Sequence, residues 1–176
     1  MIILLGLAGA GKSTQGQMLA EARGWTWLSA GEILRQSGEF KEIIDRGELV
    51  DSNIVTKMVI GKVKETEQTT KVVLDGFPRG MEQAEWVVNH PEVREMIEKV
   101  IYIYVPKEEL IHRLMLRGRA DDTEEVIKNR LEGDQGGVEE LVDYFNKNGI
   151  TVDRVDGLGT EEEVQERVKE ACADCD

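Results

Sequence analysis

The sequence predicts an α/β fold in which a five-stranded parallel sheet is covered by helices on both faces. Short apolar runs alternate with longer amphipathic stretches along the 176 residues. The apolar runs contain almost no polar side chains, which is typical of strands that are buried on both sides. One domain spanning residues 1–176 accounts for this length.

The predicted elements follow in order from this alternation of patterns. The strands are predicted at residues 2–5, 26–28, 72–74, 100–105 and 151–155. The helices are predicted at residues 12–23, 54–66, 81–88, 107–117, 123–131, 138–148 and 161–173. Paired glycines, Gly136 and Gly137, predict a break between the helices at 123–131 and 138–148.

The segment between the second and third strands is too long for an ordinary crossover. Residues 30–71 have a mostly helical pattern that is punctuated by Gly38 and Gly47, whereas most connections take only about 2–6 residues besides their helix. We therefore predict a small helical insertion at residues 30–66, with helices at 31–36, 40–46 and 54–66.

Composition excludes several classes of protein. The formal net charge is −13, which argues against a broad nucleic-acid-binding surface. No apolar run reaches the roughly 18–20 residues needed to span a bilayer, so no membrane association is predicted. Cys172 and Cys175 follow a helical pattern rather than opening one, which indicates a tail with two thiols and not a redox motif. A cytoplasmic location fits these features.

A glycine-rich turn after the first strand predicts a phosphate-binding loop. The stretch "GLAGAGKST" at residues 6–14 fits the pattern G-x-x-x-x-G-K-[ST] in full, between a strand and a helix. Its glycines let successive N–H groups point at phosphate oxygens, and the helix adds its positive end. Lys12 supplies a charge for the β- and γ-phosphates, and the Ser13 hydroxyl can bind Mg²⁺. The fold is therefore predicted as a P-loop three-layer sandwich that binds a nucleoside triphosphate.

Three further stretches carry arginines that could bind a second phosphate group. They are "LSAGEILR" at residues 28–35, "DGFPR" at 75–79 and "LRGRADD" at 116–122. Arginine binds phosphate through a planar fork and stays charged, so such a set can offset the repulsion between two polyanionic nucleotides.

With these motifs the sequence resembles the adenylate kinases and their nucleoside-monophosphate kinase relatives over nearly its whole length. The resemblance implies Mg²⁺-dependent, reversible transfer of a phosphoryl group from ATP to AMP, giving two ADP. It implies a catalytic set of Lys12, Arg79, Arg119 and Arg130. It implies ATP binding by Gly9, Ala10, Gly11, Lys12, Ser13, Thr14, Arg113 and Arg117. It implies AMP binding by Ala30, Gly31, Arg35, Val50, Gly76, Arg79 and Gln83, with Gln83 at the base. It also implies a magnesium site of Ser13 and, through water, Asp75.

The chain departs from the family in two places. Only Gly118 separates Arg117 from Arg119, where relatives carry a mobile lid, so residues 117–120 are predicted as a vestigial lid turn. Ala30 and Glu32 in "SAGE" resemble the UMP/CMP kinases, whereas Gln83 favours AMP. A UMP/CMP kinase of the same fold and a non-catalytic nucleotide-sensing module therefore remain as alternatives, and the sequence leaves the oligomeric state open.

Overall fold

A computed structural model of the chain describes residues 1–40, 50–117 and 124–175. The predicted helix at 40–46 lies largely outside the described residues, as do Gly47 and the turn at 118–120. In the described part, the strands are β1 (Ile2–Leu5), β2 (Thr26–Ser29), β3 (Val72–Asp75), β4 (Lys99–Tyr104) and β5 (Val152–Asp156). The helices are α1 (Lys12–Arg23), α2 (Ala30–Ser37), α3 (Ser52–Thr66), α4 (Met81–Val88), α5 (Pro91–Arg94), α6 (Lys107–Arg117), α7 (Glu124–Lys147) and α8 (Glu161–Ala171).

The five strands form one sheet in the order β2-β3-β1-β4-β5, and every pairing is parallel. Strand β1 therefore lies in the centre, and Leu4 pairs in register with Asp75 of β3 and with Ile101 of β4. In a parallel sheet the carboxyl ends of all strands lie at one edge, where ligands bind. The loop after β1 and the turn after β3 are thus neighbours at this edge. The prediction of a five-stranded parallel α/β fold is confirmed.

Two apolar layers cover the two faces of the sheet. Successive side chains of β1 alternate between them: Ile3 packs with α3, α4 and the second half of α7, while Ile2 packs with α1, α6 and α8. This alternation is the period-two geometry of a strand. Both layers consist mainly of buried aliphatic residues, which explains why the central strands β1, β3 and β4 are mainly apolar.

The predicted break at Gly136 and Gly137 is wrong in the structure, where α7 runs without interruption over 24 residues. Ile127 and Leu131 in its first half are buried in the layer with α1, and Leu141 and Phe145 in its second half are buried in the opposite layer. Burial at both ends outweighs the cost of about 1 kcal/mol that each helical glycine imposes.

Other differences at element boundaries are small. Strands β4 and β5 are shifted by about one residue from their predicted ranges, which is the usual uncertainty of helix and strand ends. The short helix α5 was not predicted; Pro91 occupies its first turn, where the missing N–H of proline has no helical partner to lose. The end of α7 before Gly149, which has φ of 75°, agrees with the sequence prediction.

The two thiols belong to the core. Cys172 and Cys175 are free, and their exposed fractions are 0% and 2%. Burial, followed by the hydrogen bond with Cys175, raises the pKa of Cys172 to about 12. A neutral thiol of this kind behaves as a small apolar side chain. Among the described residues, no helix is both long enough and apolar enough to cross a membrane.

Substitution of Gly16 by alanine is expected to destabilise the fold. A Cβ at Gly16 would lie 2.7 Å from Cδ1 of Trp27 and 3.0 Å from Cδ1 of Leu4. Such overpacking costs about 1–3 kcal/mol, which exceeds the roughly 1 kcal/mol that alanine gains over glycine within a helix. Urea unfolding should show a lower free energy of unfolding for Gly16→Ala.

Gly61 provides the matched control for this substitution. It also lies within a helix, α3, but an added Cβ would meet nothing within 4 Å. Gly61→Ala should therefore raise the free energy of unfolding by about 0.5–1 kcal/mol. An equal change in both variants would contradict the packing argument.

Candidate active site

The loop after β1 has the backbone conformation that its glycines predict. Gly9 and Gly11 have φ angles of 83° and 91°, in the left-handed region that side chains rarely enter. Gly11 precedes α1 without a side-chain cap, so the first N–H groups of the helix are not occupied by a capping oxygen. This uncapped helix end, at the carboxyl edge of the sheet, can bind phosphate.

Lys12 and Ser13 begin α1 beside this loop. The Lys12 ammonium donates to the Leu7 carbonyl over 3.0 Å, so it lies against the loop itself. The Ser13 hydroxyl donates to Oδ2 of Asp75 over 2.5 Å. Asp75 is the last residue of β3 and is 4% exposed. The hydrogen bond between Ser13 of α1 and Asp75 of β3 therefore connects the phosphate loop directly to the "DGFPR" turn.

The oxygens of Ser13 and Asp75 suit a magnesium ion. Mg²⁺ prefers hard oxygen ligands and is commonly bound by one or two protein oxygens together with phosphates and waters. A hydroxyl and a carboxylate placed beside a phosphate loop provide these ligands. The residues present therefore fit the magnesium site that the sequence predicts.

The turn after β3 brings Arg79 and Gln83 together. The backbone N–H of Arg79 donates to Oε1 of Gln83 over 2.8 Å, and Nε of Arg79 donates to the Gly76 carbonyl over 3.1 Å. Gln83 lies in α4 and is 8% exposed. The side-chain oxygen of Gln83 is thus fixed by the turn, and its amide nitrogen has no hydrogen-bond partner among the described residues.

Arg35 and Arg79 extend from neighbouring segments. A Cβ at Gly76 would lie 3.4 Å from Nη2 of Arg79 and 3.9 Å from Cβ of Ala30, and a Cβ at Gly31 would lie 3.3 Å from Nη1 of Arg35. Small residues therefore leave room for both guanidiniums where α2 begins beside the β3 turn. Both arginines are exposed, and neither forms a salt bridge with a described carboxylate, although the chain is strongly acidic.

A cavity of about 410 Å³ adjoins the phosphate loop, and we call it the P-loop cavity. Gly9, Ala10, Gly11 and Thr14 form one side, and Arg113 of α6 forms another. Arg113 donates to Oε1 of Glu109 over 2.8 Å and to the Gly157 carbonyl over 3.0 Å. The remaining side consists of the loop between β5 and α8, residues 157–160, which we call the β5–α8 loop, together with Glu161.

Sequence reasoning missed the β5–α8 loop, Glu109 and Gln15 as parts of this cavity. The loop could have been found, because "DGLGT" at residues 156–160 follows a predicted strand of a parallel sheet, at the edge where ligands bind. Glu109 and Gln15 lie on helices whose relative placement no local pattern specifies.

A larger cavity, of about 570 Å³, lies at the opposite edge of the sheet beside Arg94, Lys99 and residues 149–151. Its cations are already neutralised or bonded. Lys99 pairs with Asp153 over 3.1 Å and with Asp174 over 3.2 Å, and the hydrogen bond with Asp153 raises the pKa of Lys99. Arg94 donates to the Asn148 carbonyl over 2.5 Å. Larger volume therefore does not identify the functional site.

Some predicted site residues are not described in the structure. Arg119 lies outside the described residues, and for Arg117 and Arg130 only the backbone, within α6 and α7, is described. Val50 is half-buried and packs against the apolar layer that contains α3. The roles of these residues stay predictions.

The central strand, the glycine loop and the uncapped helix after it define a P-loop nucleotide-binding protein of the α/β class. A sequence profile of the adenylate kinases matches residues 4–150. The chain is 36% identical to an adenylate kinase of Mycobacteroides abscessus over 97% of both chains. It is 38% identical to one of Thermus thermophilus over 97% of this chain and 95% of the relative. It is 34% identical to one of Nocardia farcinica over 97% of both.

The chain therefore belongs to the adenylate kinase family. This confirms the resemblance found in the sequence and makes the protein a nucleoside-monophosphate kinase, a phosphotransferase.

Proposed function

We propose that this chain transfers the γ-phosphoryl group of ATP to AMP in the presence of Mg²⁺, giving two ADP. The observation that carries the proposal is the contact between Ser13 and Asp75, because it joins the phosphate loop to the turn that bears Arg79. A donor phosphate on the loop and an acceptor phosphate on the arginines would then meet beside the same two oxygens.

The two nucleotides occupy opposite sides of this contact. ATP binds with its phosphates on residues 9–14 and its base in the P-loop cavity, against Arg113. AMP binds with its phosphate between Arg35 and Arg79, and its base lies at Gln83 of α4, next to the insertion formed by α2 and α3. Arg117, Arg119 and Arg130 supply further charge to the ATP phosphates and the transferred group.

Phosphoryl transfer needs no covalent intermediate with the protein and no strong base, because the AMP phosphate is already an anion. The rate then depends on alignment of the two phosphates and on cations that stabilise the transition state. Lys12 and the arginines supply these cations. Ser13 and, through water, Asp75 would hold Mg²⁺, which would neutralise charge on the ATP phosphates.

Gln83 favours AMP over GMP and UMP. Its oxygen is fixed by the N–H of Arg79, so its amide nitrogen is left to donate to a ring acceptor such as N1 of adenine. Guanine and uracil present an N–H at the corresponding ring position, and a buried donor that loses its partner disfavours the wrong base. The UMP/CMP alternative is supported only by Ala30 and Glu32, of which Ala30 is buried at the start of α2.

Steady-state assays with ATP and each of AMP, CMP, UMP and GMP test the proposal, with ADP formation as the readout. We expect kcat/KM for AMP to exceed the values for GMP and UMP by about a hundredfold or more. A preference for CMP or UMP would assign the chain to the alternative substrate class. Binding of ATP and AMP without turnover would support the nucleotide-sensing alternative.

Replacement of Asp75 by asparagine is expected to weaken the dependence on magnesium. Asparagine keeps an oxygen that can accept from Ser13, so the fold should persist, but the negative charge near the metal is lost. Groups that orient a metal's ligands or waters typically contribute about 10- to 100-fold in metal affinity. A titration of the initial rate against Mg²⁺ should show half-saturation shifted upward by that factor.

Asp153→Asn is the matched control, because Asp153 pairs with Lys99 at the opposite edge of the sheet. Its magnesium half-saturation should equal that of the unsubstituted protein. An unchanged magnesium titration in Asp75→Asn would remove Asp75 from the proposed metal site.

A further inference from the structure

Two buried glutamines join the helix of the phosphate loop to the last helix of the chain. Gln15 of α1 is 3% exposed and Gln165 of α8 is 2% exposed. Around them the two helices bury apolar residues, among them Leu19 and Val168. Neither glutamine belongs to the G-x-x-x-x-G-K-[ST] pattern. Their position inside an otherwise apolar contact requires a separate explanation.

Hydrogen bonds connect the two glutamines to each other and to the backbone of α1 and α8. Nε2 of Gln15 donates to the Glu161 carbonyl over 3.0 Å. With the Gln165 amide oriented so that donors meet acceptors, its nitrogen donates to Oε1 of Gln15 over 2.5 Å and to the Gln15 carbonyl over 3.3 Å. Its oxygen then accepts from the N–H of Leu19 over 3.2 Å. A displacement of α8 along α1 would break several of these bonds together.

An apolar pair of similar volume could stabilise the same helix contact. Buried polar networks often add little stability over well-packed apolar residues, because each group loses its hydration. They differ from apolar contacts in fixing one relative position of the elements that they join. The glutamines are therefore better explained as groups that fix where α8 lies on α1 than as groups that stabilise the contact between the two helices.

By fixing α8, the two glutamines also fix the position of one side of the P-loop cavity. Glu161, whose carbonyl accepts from Gln15, is the first residue of α8 and follows the β5–α8 loop. The other end of this loop is held by Gly157, whose N–H donates to the Tyr104 carbonyl over 2.7 Å and whose carbonyl accepts from Arg113. At the end of the loop, Thr160 forms a capping box with Glu163 of α8. The Gln15 contact connects the end of this loop to α1.

We propose that Gln15 and Gln165 are positioning residues that set the distance between the phosphate loop and the β5–α8 loop. In the proposed ATP site, the triphosphate binds at the phosphate loop, where α1 begins, and the base binds against the β5–α8 loop. The phosphates and the base can bind at the same time only if the distance between the two loops is maintained. The inference rests on the ATP site proposed above, and it predicts that the pair affects the donor nucleotide and not the acceptor.

Methionine substitutions test the pair, because methionine matches glutamine in length and volume but has no hydrogen-bond donor and only a weak acceptor. In Gln15→Met and in Gln165→Met, we expect KM and Kd for ATP to rise about tenfold, the effect of losing one buried hydrogen bond. KM for AMP should stay within about twofold. Since the residues act as one unit, the double variant should be no weaker for ATP than the weaker single variant.

Tyr102→Phe is the control for loss of a partly buried hydrogen bond elsewhere. The Tyr102 hydroxyl donates to Glu139 over 3.2 Å in the opposite apolar layer, so KM for ATP should not change. If Gln15→Met does not fold, Gln165→Asn, which shortens the side chain without removing its polarity, should show the same selective rise. Kd for ATP is measured by calorimetry in each variant.

The outcomes separate this inference from the proposed function. Absence of turnover with ATP and AMP in the unsubstituted protein would contradict the function itself. Turnover in that protein, with KM for ATP unchanged in all glutamine variants, would overturn the positioning role alone. A parallel rise in KM for both nucleotides would also overturn it, because it would reduce the pair to general structural support.

Discussion

Lys12→Met is expected to lower kcat by about a hundredfold to a thousandfold while leaving the fold intact. Lys12 is the only charged residue of the stretch "GLAGAGKST", and its ammonium lies against the loop through the Leu7 carbonyl. Charge builds up on the phosphate oxygens in the transition state, and removal of one such preorganised donor typically costs about 10²–10³ in kcat. The effect should appear mainly in kcat, because the interaction strengthens as the transition state forms.

Lys147→Met is the matched control for this change. Lys147 is exposed at the end of α7, and the same charge and the same side-chain length are exchanged far from the phosphate loop. Circular dichroism and thermal unfolding should be unchanged in both variants, since neither lysine is buried. If Lys12→Met kept kcat within about twofold of the unsubstituted protein, the loop would not be the site of the transferred phosphate.

The parts of the fold that could be read from the sequence are those that local pattern determines. Strands β1, β3 and β4 are apolar runs that are buried on both faces, so their positions along the chain follow from the local pattern. The phosphate loop is contiguous in sequence, and its positive-φ glycines, such as Gly9 and Gly11, are explicit in the motif. The contact between Ser13 and Asp75 follows from one further rule, that parallel strands end at one edge.

What could not be read depends on contacts between distant segments. The glycines within α7 predict a break by propensity, but burial of Leu131 and Phe145 in two different layers keeps the helix continuous. Gln15 reads as an ordinary helical residue until α8 is placed against it. Arg113 was expected from the family resemblance, but its bond to Gly157 requires β5 and α6 to be adjacent.

The arrangement of cations is the clearest link between sequence and chemistry. Arg23, Arg113 and Arg167 each donate to backbone carbonyls within the described structure, and these bonds have a role in holding the fold. Arg79 also donates to the Gly76 carbonyl, but neither it nor Arg35 forms a salt bridge with a described carboxylate, in a chain of net charge −13. Two exposed guanidiniums that lack a described carboxylate partner, beside small residues that leave room for a ligand, favour binding of an anion.

Arg79→Ala is accordingly expected to lower kcat/KM for AMP by about a hundredfold or more. A guanidinium that binds phosphate through two charge-assisted hydrogen bonds contributes about 1.5–3 kcal/mol for each bond. KM for ATP should stay within about twofold, because the proposed site for the donor phosphates lies on the other side of Ser13 and Asp75. Arg79→Lys should recover part of the loss, since lysine restores the charge but not the planar fork.

Arg94→Ala separates this effect from a general loss of positive charge. Arg94 lies at the opposite edge of the sheet, where it donates to the Asn148 carbonyl, so both kinetic constants should be unaffected. The fold should persist in Arg79→Ala, because the N–H that donates to Gln83 is a backbone group and survives the substitution. A selective loss for AMP would therefore come from the guanidinium itself. Equal losses for AMP and ATP would instead place Arg79 among the groups that bind both nucleotides.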